Sequence, residues 1–96
     1  MKAYVIVNVA ISDPERYKDY IRAATPTVAA HGGRYVVRGG RAEKLEGDIA
    51  VNRIVVLEFP SHAQARGWYE SPEYQAALAI RQSCSTATLI LVEGMA

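Results

Sequence analysis

The chain has 96 residues, half of them hydrophobic and 22% charged, which fits one ordinary globular domain built on a single core. Formal net charge is +1 and no Lys/Arg cluster stands out, which argues against nucleic acid as a partner, because phosphate binding needs a concentrated basic surface. A single cysteine, Cys84, excludes an intramolecular disulfide and suits a reducing, cytoplasmic setting.

Residues 3–11, AYVIVNVAI, are rich in β-branched side chains and read as a strand. The run is interrupted at Asn8 and passes straight into a helix cap, so it is neither a signal peptide nor a membrane span. Asp13-Pro14 opens a helix: Asp caps free backbone N–H groups, and Pro fits a first turn that needs no N–H of its own. Tyr17, Tyr20, Ile21, Ala24 and Val28 then form one apolar stripe at helical spacing. Thr25-Pro26 predicts a kink or restart, because proline disfavours helix in the residue before it. His31-Gly32-Gly33 ends the helix, with Gly32 suited to the left-handed position.

Residues 34–38, RYVVR, read as the second strand. The segment from Gly39 to Asn52 reads as a glycine bulge, a strand extension through Ala42–Leu45 and a turn at Gly47-Asp48. Residues 53–59, RIVVLEF, are the third strand. Ser61 and Gln64 match a capping box that opens a short helix through Tyr69, and Ser71-Pro72-Glu73 opens another over roughly residues 72–83. Residues 88–93, TLILVE, are the fourth strand.

The order β-α-β-β-α-β predicts a ferredoxin-like α+β domain, an antiparallel sheet with its helices on one face. Both faces of the sheet are apolar in sequence: Val5, Val7 and Val9 alternate with Tyr4, Ile6 and Asn8, and Leu89 and Leu91 with Ile90 and Val92. A sheet wetted on one side should alternate with polar residues. A twin subunit packed sheet to sheet about a twofold axis is the simplest cover for the second face, so a homodimer is expected.

The glycine pairs 32–33 and 39–40 carry no phosphate-loop pattern: the first follows a helix and the second interrupts a strand. His31 reads as a helix-end cap or as a general acid/base. His62 is the other histidine and lies at no ligand spacing from it, so no metal site is expected. Asn8 and Glu58 interrupt apolar strands, and buried polar groups need partners. Glu58 reads either as an ion-pair partner of Arg38 or Arg53, or as a substrate-orienting carboxylate. Trp68, Tyr69 and Tyr74, in WYESPEY, read as core packing or as pocket walls.

The stretches DPERYKDY, HGGRYVVRGG, LEG, RIVVLEFPS, WYESPEYQ and LVEG, taken in order, resemble a bacterial family described as domain of unknown function 1330. The resemblance covers nearly the whole chain and implies a subunit of the dimeric α/β-barrel superfamily. It marks His31, Arg38, Glu58, Trp68, Ser71, Tyr74 and Arg81 as the residues to watch. Superfamily branches include cofactor-free monooxygenases, haem-degrading enzymes, lactone isomerases and binding modules, and fold alone does not choose among them.

Two readings therefore stand. In the first, the protein binds a small, partly apolar organic molecule and acts on it without a cofactor, as an oxygenase or isomerase. His31, Arg38 and Glu58 would be catalytic, and Asn8, Trp68, Tyr69, Ser71, Tyr74 and Arg81 would line the substrate. In the second, it is a non-catalytic ligand-binding or protein-interaction module, since no complete nucleophile–base set is present.

Overall fold

The computed structural model describes residues 1–96. Seven elements follow in chain order: β1 (Ala3–Ile11), α1 (Pro14–Ala30), β2 (Arg34–Arg38), β3 (Arg53–Phe59), α2 (His62–Glu70), α3 (Pro72–Cys84) and β4 (Ser85–Glu93). The strands form one antiparallel sheet in the order β2-β3-β1-β4. The helices cover one of its faces, which is the ferredoxin-like α+β arrangement expected.

The helix starts follow the cap chemistry. The side chains of Asp13, Ser61 and Ser71 accept hydrogen bonds from the N–H groups of Arg16, Gln64 and Tyr74. Gly32 ends α1 at φ +79°. The helix does not restart at Pro26: α1 runs continuously through it. On either side of the proline the Thr25 hydroxyl donates to the Ile21 carbonyl (2.7 Å) and the Thr27 hydroxyl to the Ala24 carbonyl (2.6 Å).

Two further expectations need correction. Residues 42–45 form no strand; β2 stops at Arg38 and the chain runs as an exposed loop to Asn52. Gly39, at φ +69°, turns the backbone out of the sheet, and the segment beyond it finds no strand to pair with. β4 starts at Ser85, three residues before the expected Thr88, because α3 passes directly into extended backbone at Ser85.

Strand register decides which residues meet. On the inner face, Leu91–Val5–Leu57–Tyr35 form one row across all four strands and Leu89–Val7–Val55–Arg38 the next, with Ala87–Val9–Arg53 beyond. A bulge lies between Tyr35 and Val37 and absorbs one residue of β2. Simple alternation would send Tyr35 and Arg38 to opposite faces; the extra residue brings both inward. Sixteen apolar residues, including Val5, Val9, Phe59, Trp68 and Tyr74, make the core between sheet and helices.

The outer face carries a matching row, Ile90–Ile6–Val56–Val37, also spanning all four strands. Ile90 is 55% exposed, Ile6 38% and Val37 38%. The apolar outer row inferred from the alternation is therefore present and open in the single chain, beside polar positions such as Glu58 and Asn8.

Candidate functional site

Between α1, α3 and the inner face lies a cavity of about 30 Å³, room for a couple of water molecules. Its walls are aromatic and aliphatic: Tyr17, Tyr20 and Ile21 from α1, Tyr35 from β2, Trp68 from α2, Tyr74 from α3, and Val7, Val55, Leu57 and Leu89 from the sheet. Only two charged residues reach it, Arg38 and Arg53. Two open grooves, of about 410 and 360 Å³, lie along the β4 edge and share the Leu89 wall with it.

The cations are held without acids. Arg38 lies over the Tyr35 ring, 4.1 Å from its centroid, and donates to the Thr25 hydroxyl at 2.7 Å. It thereby bridges β2 to α1 at the cavity mouth. Arg53 sits over Tyr17, 5.9 Å from the ring centroid, and its buried Nε has no protein acceptor. Arg81 on α3 is only 5% exposed, lies 5.9 Å from the Tyr20 ring, and also leaves a buried Nε without an acceptor. Every ion pair of the chain involves other cations, so none of these three arginines has a carboxylate partner.

The tyrosines form the polar lining. Tyr20 and Tyr74 share a hydrogen bond at 3.0 Å between their hydroxyls. Burial, reinforced by Tyr74, pushes the Tyr20 pKa up. Burial also raises Tyr17, while Arg53 pulls the other way. Both hydroxyls are therefore neutral near pH 7 and serve as donors and acceptors. Burial works against the Arg81 charge, but the neighbouring hydroxyls of Tyr74 and Tyr20 outweigh it. Trp68 and Tyr74 stack at 4.1 Å between centroids, and the Trp68 indole donates to the Thr27 hydroxyl at 3.0 Å.

Space for the Arg53 head is made by Gly39, because a Cβ built there would collide with the guanidinium. Gly39→Ala combines that clash with an L-residue at φ +69°. It is expected to cost about 1–2 kcal/mol from the backbone alone, seen as a lower urea midpoint.

The residues singled out from the sequence part company here. Arg38, Trp68 and Tyr74 line the cavity, and Arg81 stands behind the Tyr20–Tyr74 pair. Tyr69 faces the two β4-edge grooves instead. Ser71 is an inter-helix cap: its hydroxyl donates to the Trp68 carbonyl and accepts from the Tyr74 N–H. His31, Arg38 and Glu58 do not converge. His31 caps α1, and since a carbonyl only accepts, its Nδ1 donates to the Thr27 carbonyl at 3.0 Å. It lines none of the cavities.

Glu58 points to the outer face, because strand alternation with buried Leu57 and Phe59 puts it there. Its partners are Arg34 at 3.0 Å and Lys2 at 3.6 Å, not Arg38 or Arg53. Asn8 also faces outward, where its amide holds the loop by donating to the Ala50 carbonyl and accepting from the Asn52 N–H. The residues overlooked as site candidates are Tyr17, Tyr20, Tyr35 and Arg53. Arg53 had a readable signal, since it shares the parity of Val55, Leu57 and Phe59 and so places a cation in the buried row.

The Arg34 hydrogen bond holds the Glu58 carboxyl below the ordinary carboxylate range, against some desolvation. Its folded pKa is depressed, so the pair stabilises the fold above the ordinary carboxylate pKa and the contribution is lost as pH falls through the depressed value. Glu58→Gln is expected to lower the urea midpoint near neutrality, with the two stability curves converging in acid.

The fold and its inner cavity define a class, the ferredoxin-like α+β proteins. Within that class, the chain belongs to the family described as domain of unknown function DUF1330, whose match spans residues 2–95. No curated protein matches it. Among solved structures it is similar to a protein of unknown function from Rhodopseudomonas palustris, with 22% identity, TM-score 0.80, and 99% of this chain and 83% of that chain covered. It is also similar to SnoaB, a cofactor-independent oxygenase from Streptomyces nogalater, with 12% identity, TM-score 0.69 and 99% and 94% covered. A dimeric ferredoxin-like protein of unknown function from Thermobifida fusca shares 18% identity at TM-score 0.66, with 98% and 92% covered. At these identities the likeness is one of fold.

Proposed function

We propose that this protein is a homodimer, paired through its outer sheet face, that binds a small, partly apolar organic molecule in the cavity between α1, α3 and the sheet. The observation that carries the binding reading is the convergence of five aromatic side chains and two arginines from five different elements on one internal space. The dimer reading rests on the open apolar row Ile90–Ile6–Val56–Val37 and gains support from the dimeric T. fusca protein of the same fold. The buried lone thiol of Cys84 suits work in the cytoplasm.

The cavity is smaller than an organic ligand, so binding requires its walls to move, and Arg38, exposed at the rim, can do so by leaving Thr25 and Tyr35. The test is native mass spectrometry of the purified protein, followed by identification of any released molecule. A bound small molecule that is lost in Ile21→Trp, which fills the cavity wall, is the expected result. A ligand retained at full occupancy in that variant would place binding elsewhere.

One observation favours a second reading, catalysis without a cofactor. The Tyr20–Tyr74 hydroxyl pair, backed by Arg81, borders the cavity and can stabilise an oxyanion that develops on a bound enol or phenol. SnoaB is an oxygenase of that cofactor-independent kind on the same fold. No carboxylate or histidine lines the cavity to act as a base, so the substrate would arrive ionised or lose its proton to water. Turnover of the co-purified molecule, with oxygen uptake, that falls in Tyr20→Phe would support it; a molecule returned unchanged would leave the binding module.

A further inference from the structure

We infer that the ligand of this cavity is an organic carboxylate, with its anionic head against Arg53 and Arg38 and its apolar body among the tyrosines. The inference rests on the cavity reading above and adds the charge class of the ligand. Its basis is an imbalance of charge. Each of the six ion pairs of the chain lies at the surface or on the outer sheet face, and together they consume Arg16, Arg22, Arg34, Arg66, Lys2 and Lys18. The arginines around the aromatic cavity are left with none. Arginine stays protonated at any working pH, and buried charges are ordinarily paired.

Arg53 keeps hydrogen-bonding capacity in reserve. The Nε of Arg53, a cavity-lining residue, is buried without an acceptor; Arg81 lies outside the lining, behind the Tyr20–Tyr74 pair, and bears on the ligand only through those hydroxyls. A guanidinium presents its N–H groups in a planar fork that matches a carboxylate with two parallel bonds. Burial keeps the Tyr17 and Tyr20 hydroxyls neutral; Tyr17 and whichever partner of the Tyr20–Tyr74 pair accepts their shared bond are left with a proton to donate to the same oxygens. No acidic side chain lines the cavity to repel an anion. The bulge in β2 and the missing Cβ of Gly39 both serve the placement of these two cations, the first by turning Arg38 inward and the second by leaving room for Arg53.

The experiment compares matched acids and amides on the full-length protein: acetate with acetamide, and benzoate with benzamide, each titrated by NMR chemical-shift perturbation and thermal shift. Benzoate is expected to bind about tenfold or more tighter than benzamide, the margin of a charge-assisted hydrogen bond. Arg53→Met is expected to erase that margin, with ligand-free stability unchanged or raised, because the charge it removes has no carboxylate partner and only the Tyr17 ring beside it. Arg38→Met, at the exposed mouth, carries little folding risk and is expected to weaken benzoate in the same direction. Equal affinities for acid and amide, or a benzoate preference that survives both variants, would overturn the carboxylate assignment and leave the cavity reading standing. So would a neutral molecule identified in the co-purification experiment. Failure of every probe to bind, together with a ligand-free purified protein, would remove both. A loss of stability in Arg53→Met with benzoate affinity intact would reassign Arg53 to a structural role.

Discussion

Trp68→Ala is expected to destabilise the fold by about 3–5 kcal/mol, the range for emptying a large aromatic site. Trp68 is 1% exposed and packs on Tyr74 at 4.1 Å and on Phe59 at 5.4 Å between ring centroids. Its indole also ties α2 to α1 through Thr27. Removing it opens a void among the least compressible side chains of the core and leaves the Thr27 hydroxyl with its bond to Ala24 alone. For a chain of 96 residues that loss corresponds to a midpoint lower by on the order of 15–30 °C. Trp68→Phe keeps most of the ring and loses the bond, so it should cost about 1 kcal/mol beyond its packing change. Unfolding is best followed by far-UV circular dichroism, because Trp68 is the only tryptophan. A cost below about 1 kcal/mol for alanine would contradict the packing described.

If the proposed pairing through the outer face holds, Ile90→Asp is expected to give a monomer at micromolar concentration. Ile90 lies opposite Ile6 at the end of the outer apolar row, and more than half of it is exposed in one subunit, so aspartate should be tolerated by the monomer itself. In a twofold interface the same substitution enters twice, and each unpaired carboxylate would be buried at a cost of several kcal/mol. Light scattering should then give a mass near 10.5 kDa for the variant and twice that for the parent chain. A monomeric parent at tens of micromolar would remove the dimer. The cavity lies on the other face, so acid-over-amide selectivity should persist in Ile90→Asp wherever the monomer stays folded.

The parts of the architecture readable in the sequence are those set by local chemistry. Asp13-Pro14, Ser61 and Ser71 mark helix starts because a side-chain oxygen three residues before a free N–H is a local arrangement. Strands β1, β2 and β3 begin and end as expected because β-branched runs meet breakers at both ends. Features that depend on distant residues are not legible locally. The loop after Gly39 has β-compatible residues but no strand beside it, and Pro26 sits in a helix that is held against α3 and contributes Ala24 and Val28 to the core.

The same division runs through the site. Trp68, Tyr74 and Arg38 drew attention as residue types, and the fold brings them to one cavity. Glu58 drew attention for the same reason and lies on the opposite face, paired with Arg34 through a register that no local pattern reveals. Tyr17 and Tyr20 were visible as a stripe, yet a stripe does not distinguish a core from a cavity wall. Arg38 is the instructive case: its inward aim depends on one extra residue in β2, whose presence shows only in the pairing with β3.

That bulge also bears on how the chain can go wrong. β2 is an edge strand of five residues whose ladder is interrupted at its centre, so it offers a poor template for another strand. The opposite edge, β4, is nine residues long with unbroken register against β1. Open-ended growth has one regular edge to start from, and its one charged guard is Glu93 at the end of that strand. Face-to-face pairing terminates after two copies, whereas strand addition at β4 does not, so the face and the regular edge lead the same sheet to different fates.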